Sequence, residues 1–210
     1  MRLIDLTCGL TEKGLHGEAH RRPTQLETPD ALFELAQMGT RIESPSYLLQ
    51  GGKRLDQFGP ESFFQSAVLL DLTHKVATQF IDDEDLEAAE EVAGLAVREG
   101  EGVIIRTGWD RNFRKGDYPS SHLGLSENGA EYLASRHVSM VCTDTPNLDY
   151  PNNESLTAHS VLFERGMLVV EDLCNLVSID QDRFQLIVLP LKVGVSCSPA
   201  RAVADVEGMK

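Results

Sequence analysis

Basic charge is scarce in this chain: nineteen Lys and Arg stand against thirty-three Asp and Glu, a net charge of -14 over 210 residues. A surface of that sign repels phosphate backbones and anionic lipid, so neither nucleic acid nor a membrane surface is an expected partner. Long hydrophobic runs are missing too, none approaching the ~18 apolar residues of a membrane span. The opening Met1-Arg2-Leu3-Ile4-Asp5-Leu6-Thr7 reads as a strand and not as a leader, because it has no long apolar stretch and no small-residue cleavage site. Cysteine is limited to Cys8, Cys142, Cys174 and Cys197, far apart and without a CxxC pair, which argues against a zinc ribbon or a disulfide framework. Reduced thiols in a cytoplasmic protein are expected. No internal repeat, low-complexity tract or linker divides the chain.

What is present suits a folded core. With 41% hydrophobic residues the chain can bury a full interior, and one α/β domain over residues 1–210 is expected. Short apolar runs of strand length occur at Ala67–Leu72, Gly102–Thr107, Val138–Cys142, Met167–Val170 and Phe184–Leu189. Helical patterns lie between them. Asp82 or Asp83 can cap a helix whose apolar residues Leu86, Ala89, Val92, Ala93 and Ala96 recur at threes and fours, and Ser126 can cap a second that runs to about Arg136. Thr157 to Arg165 reads as a third. The acid run Asp82-Asp83-Glu84-Asp85 is a dipole-favoured helix start and not a cation site. His16 and His20 flank Glu18, but HxExH is not a zincin spacing and the stretch has no helical apolar face.

The segment Gln37-Met38-Gly39-Thr40-Arg41-Ile42-Glu43-Ser44-Pro45-Ser46-Tyr47 carries more information than any other. Together with Val68–Leu72, Ile105-Arg106-Thr107-Gly108-Trp109, Gly124-Leu125-Ser126, Asp144-Thr145-Pro146, Ala158-His159, Val170–Leu176, and Pro190-Leu191-Lys192 with Ser198-Pro199-Ala200-Arg201, it resembles the metal-dependent cyclase family over nearly the whole chain. That family includes bacterial kynurenine formamidases, isatin hydrolase and the zinc-dependent trans-dienelactone hydrolase. Its HxGTHxDxPxH segment supplies metal ligands and a general base. The resemblance implies a swivelling β/β/α fold, a homodimer or homotetramer, and a small-molecule substrate with a carbonyl group.

Against that motif the segment keeps Gly39, Thr40 and Pro45, while Gln37 and Arg41 stand where the family has two histidine ligands. Glu43 replaces the aspartate and Tyr47 the histidine that resembles the base. A guanidinium stays protonated and has no lone pair to give, so Arg41 excludes the first metal position. By resemblance, Glu43, His159 and Glu171 remain as ligands for a single zinc or manganese ion. Arg41 opposes that ion, since like charges ~4 Å apart repel by about 4 kcal/mol per unit charge product at a surface-like dielectric, doubled for a divalent ion.

The favoured reading therefore needs no cofactor. Arg41 is a fixed cation for developing negative charge, His159 carries protons, Glu43 pairs with Arg41, and Tyr47 donates a hydrogen bond or proton. Gln37 and Trp109 are candidates for substrate binding, although Trp109 also fits the core. Ring closure or isomerisation, as in secondary metabolism, suits this set because nothing but a metal would generate hydroxide at neutral pH. The alternatives are a one-metal hydrolase that opens an amide, lactam or lactone, and a non-catalytic relative kept for binding or assembly. An Arg41–Glu43 ion pair that merely fills a vacated cavity is the bland account of the same residues.

Overall fold

The computed structural model describes residues 1–8, 39–76, 79–113, 115–116, 118–151 and 153–208. Gln37, Met38 and the His16–His20 stretch lie outside the described residues, so the substrate-binding role expected of Gln37 has no structural account.

Ten strands are described. β1 (Leu3–Asp5), β2 (Arg41–Glu43), β3 (Phe64–Asp71), β5 (Gly102–Arg106), β7 (Met140–Thr143), β8 (Leu168–Glu171), β9 (Arg183–Pro190) and β10 (Cys197–Asp205) form one mixed sheet in the order β1-β10-β2-β8-β7-β5-β3-β9. β4 (Phe80–Ile81) and β6 (Gly124–Leu125) pair separately. β10 also pairs with β9, so seven strands close into a barrel-like ring. β1 and β2 share one edge of β10 in tandem, β1 opposite Val203–Asp205 and β2 opposite Cys197–Pro199.

The period of two along each strand separates two cores. Ala67, Leu69, Ile104, Met140, Cys142, Leu168 and Val170 face the ring interior with Phe184, Leu186 and Val188 from β9. Val68, Leu70, Val103, Ile105, Val141 and Val169 face outward, under three helices. These are α1 (Asp83–Ala93), α2 (Glu127–Ser135) and α3 (Thr157–Glu164). Asp82 and Asp85 cap α1 reciprocally, and the Ser126 hydroxyl accepts from Gly129 N at 3.0 Å to start α2. Leu86, Leu133 and Phe163 are fully buried beneath them, each contributing roughly 1.5–3 kcal/mol by the area it removes from water.

Two expectations need correction. Val92 is 90% exposed and is no part of the helix's buried face, which Leu86, Ala89 and Glu90 form. Strand β10 was not anticipated, because Cys-Ser-Pro-Ala-Arg-Ala-Val-Ala-Asp is poor in the residues that mark strands. No helix among the described residues is long and apolar enough to cross a membrane.

Candidate functional site

The site forms on the helix-facing side of β2 and β8. Ile42 points into the ring, so its neighbours Arg41 and Glu43 point the other way, and Arg41 lies directly opposite Glu171 in the antiparallel register. One strand face thereby collects a guanidinium and two glutamates. Asp172 continues β8 with a left-handed backbone, φ 56°, and its carboxylate also reaches Arg41.

Arg41 is buried and saturated. Its Nε donates to Glu43 Oε1 at 3.1 Å, Nη1 to Asp172 Oδ2 at 3.0 Å, and Nη2 to Pro146 O at 2.7 Å and to Glu171 Oε2. Four acceptors thus take most of its five N–H groups. Burial works against its charge, but Glu171, Glu43 and Asp172 hold its pKa well above the ordinary value. The guanidinium is therefore a built-in structural cation with little capacity left for a substrate oxygen.

His159 comes from the first turn of α3. Asp149 binds the start of that helix, accepting from Ala158 N at 2.9 Å and His159 N at 3.1 Å, and its Oδ2 meets His159 Nδ1 at 2.6 Å. A carboxylate accepts, so Nδ1 carries a proton and Nε2 is turned toward the two glutamates. Nε2 lies 3.3 Å from Glu171 Oε1 and 3.4 Å from Glu43 Oε2. Burial opposes an imidazolium here, but Asp149, Glu171 and Glu43 together raise the His159 pKa well above its ordinary value. Glu43 is held below the usual carboxyl range by His159 and Arg41 against the effect of burial. Burial prevails at Glu171 and Asp172, both raised.

Each glutamate is divided between two neighbours. Oε1 of Glu43 and Oε2 of Glu171 serve Arg41, while the other oxygens face His159. Glu43 Oε2 and His159 Nε2 are buried and lack a hydrogen-bond partner among the described residues. With Glu171 Oε1, which accepts from Leu148 N at 2.5 Å, the ligand atoms of the three residues lie within 4.8 Å of one another. This donor set fits one divalent cation with open positions. Three carboxyl groups, those of Glu43, Glu171 and Asp172, bond to Arg41 and a fourth, Asp149, bonds to His159, so attraction to these groups offsets the repulsion expected from Arg41.

The remaining candidates sit at the margin. Tyr47 is half-buried, its ring 6.4 Å from that of His159, and burial followed by the Glu43 charge pushes its hydroxyl up to about 12. It is a hydrogen-bond donor at neutral pH and not a base. Trp109 reaches the site only indirectly: its Nε1 donates to Tyr118 O at 2.9 Å and its ring stacks on Tyr118, whose hydroxyl donates to Asp172 Oδ1 at 2.5 Å. Asp149, Asp172 and Tyr118 had not been singled out. The only signal for Asp149 was a carboxylate ten residues before His159 at a helix entrance.

A family model described as putative cyclase matches residues 4–150. The chain belongs to this cyclase family. A kynurenine formamidase of Salinibacter ruber is 29% identical over 169 residues, covering 79% of this chain and 74% of that protein. Isatin hydrolase A from Labrenzia aggregata superposes with a TM-score of 0.77 at 20% identity, over 97% of this chain and 93% of the other. A potential metal-dependent hydrolase with cyclase activity gives 0.75 at 22% identity, over 97% and 96%. The protein is a cyclase-family enzyme related to kynurenine formamidase, and it shares its α/β fold with isatin hydrolase.

Proposed function

We propose that this enzyme is a hydrolase that opens an amide, lactam or lactone, with one zinc or manganese ion held by Glu43, His159 and Glu171. The observation that carries the reading is the pair of buried, unpartnered donors Glu43 Oε2 and His159 Nε2 beside Glu171 Oε1. Bound there, the ion supplies carbonyl polarisation and a water acidic enough to react near neutral pH. Asp149 keeps the His159 proton on Nδ1 and so keeps Nε2 available. Arg41 takes the place of a second cation and orients the far oxygens of both glutamates. Tyr47 can donate a hydrogen bond to the carbonyl oxygen from the rim. Relatives named for a formamide and for isatin, a cyclic amide, support an amide carbonyl as the target. The net charge of -14 supports a small-molecule substrate over nucleic acid, and a homodimer or homotetramer completes the proposal.

A second reading rests on the same triangle. His159 sits where a proton on Nε2 would bridge Glu43 and Glu171, which favours metal-free ring closure or isomerisation by proton transfer. Metal analysis of protein purified without chelator separates the two. Near-stoichiometric zinc or manganese that is lost in Glu171→Ala, with turnover of N-formyl arylamines or isatin only in the loaded form, supports the hydrolase. Turnover by the stripped protein supports the second reading.

A further inference from the structure

Two of the four cysteines meet. Cys8 lies beyond the end of β1 and Cys174 beyond the end of β8, far apart along the chain, yet their thiols are hydrogen-bonded to each other. Cys142 and Cys197 are buried in other surroundings, the ring interior and the side of β10 where Cys197 Sγ donates to Glu43 Oε1 at 3.8 Å.

The backbone holds this pair together from several sides. Thr7 and Leu173 form an antiparallel bridge, and Cys174 N donates to Leu6 O at 3.0 Å. Each cysteine thus directly follows a residue of that bridge. The Thr40 hydroxyl accepts from Cys8 N at 2.8 Å and donates to Asp172 O at 2.5 Å, which ties the Cys8 main chain to the turn that leads into Cys174. Asn175 closes that turn on its far side, its N donating to Asp110 Oδ2 at 2.9 Å and its Nδ2 to Asp5 O at 3.2 Å. Cys8 is 5% exposed, whereas Cys174 is half-buried. The hydrogen bond between the thiols lowers the Cys174 pKa and raises that of Cys8, where burial adds to the rise. One sulfur is therefore open to solvent and disposed to react, and the other waits shielded beside it.

We propose that Cys8 and Cys174 form a redox site, two thiols that a peroxide joins into a disulfide and a dithiol separates again. The Cys174 sulfur attacks one peroxide oxygen, the oxygen–oxygen bond breaks, and a sulfenic acid forms as the other oxygen leaves in water with the thiol proton. The Cys8 sulfur then attacks that of Cys174, the sulfur–oxygen bond breaks, and the hydroxide leaves as a second water with the Cys8 proton. The two thiols lose two electrons in all and the peroxide gains them. The new bond fastens the start of the chain to the segment that carries Asp172, and so staples the surroundings of Arg41. It depends on neither reading of the reaction.

The test treats the wild-type protein with a small excess of hydrogen peroxide in the presence of chelator, alkylates the remaining thiols under denaturing conditions and maps the peptides by mass spectrometry. The expected product is a Cys8–Cys174 linked peptide within one chain that dithiothreitol separates, with Cys142 and Cys197 alkylated. The link is expected to raise Tm by about 4–16 °C, reversibly with dithiothreitol, and Cys174→Ser to abolish the rise. Treated protein in which both cysteines remain open to alkylation, carry sulfinic acid without a link, or are linked only between chains overturns the proposal. A linked pair with an unmoved Tm overturns the staple. The peptide map needs no variant, so it stands even where Cys174→Ser fails to fold.

Discussion

Replacing Arg41 by leucine removes the one fixed cation among three carboxylates while keeping an apolar side chain in the space. In the wild-type protein Glu43, Glu171 and Asp172 each bond to this guanidinium, and each is buried to within a few per cent. Breaking a buried pair by removing one partner costs about 3–5 kcal/mol, because the charge left behind has no water to turn to. For a chain of this size that loss corresponds to a fall in Tm of roughly 6–20 °C. The penalty also depends on pH. Burial already raises Glu171 and Asp172 above their ordinary values, and without the guanidinium that opposes this they rise further. A folded-state carboxyl pKa above the unfolded value gives stability that is present below about pH 4 and is lost as pH rises through the folded value. The deficit of Arg41→Leu is therefore larger at about pH 8 than at about pH 5, as protonation removes the stranded charges. Urea melts of both proteins at the two pH values, with chelator present so that no ion fills the gap, measure it. A loss below about 1 kcal/mol, the scale of an exposed ion pair, or an equal deficit at both pH values, would refute the reasoning.

Two further substitutions probe the groups around this centre. Asp149→Asn removes the charge that holds the His159 proton on Nδ1, and is expected to weaken zinc or manganese affinity by about 10–100-fold in a competitive chelator titration. An unchanged affinity would show that the ring is oriented by packing alone. Tyr118→Phe deprives the buried Asp172 Oδ1 of its hydroxyl donor and is expected to cost about 1–3 kcal/mol in a urea melt. A neutral result would mean that water replaces the hydroxyl.

The alternation of strand and helix was legible along the chain because buried strands are short apolar runs and helix starts carry cap residues. Asp82 and Ser126 cap the helices as read. Strand β10 escaped notice for a physical reason: its Ala200, Ala202 and Ala204 fill a crowded ring interior where small side chains suffice, and they do not look hydrophobic in isolation. Among the candidate site residues, His159 and Glu171 were found through family resemblance and converge with Glu43. Asp149 and Tyr118 were not found, since each acts through a side-chain contact with a residue ten or more positions away, which no periodicity records.

The sequence by itself determined that an arginine stands where a metal donor belongs, because a guanidinium cannot ligate whatever surrounds it. It also kept Glu43, His159 and Glu171, which the family resemblance implies as a second ligand set. Only the tertiary structure decided how the two share space. Cross-strand register sets Arg41 opposite Glu171, the left-handed turn at Asp172 adds a third carboxylate, and Asp149 at the entrance of α3 aims His159 between the glutamates. Each glutamate then gives one oxygen to the guanidinium and keeps the other for a proton or a metal ion. That division depends on which way each carboxylate faces, which is a property of packing and not of residue type.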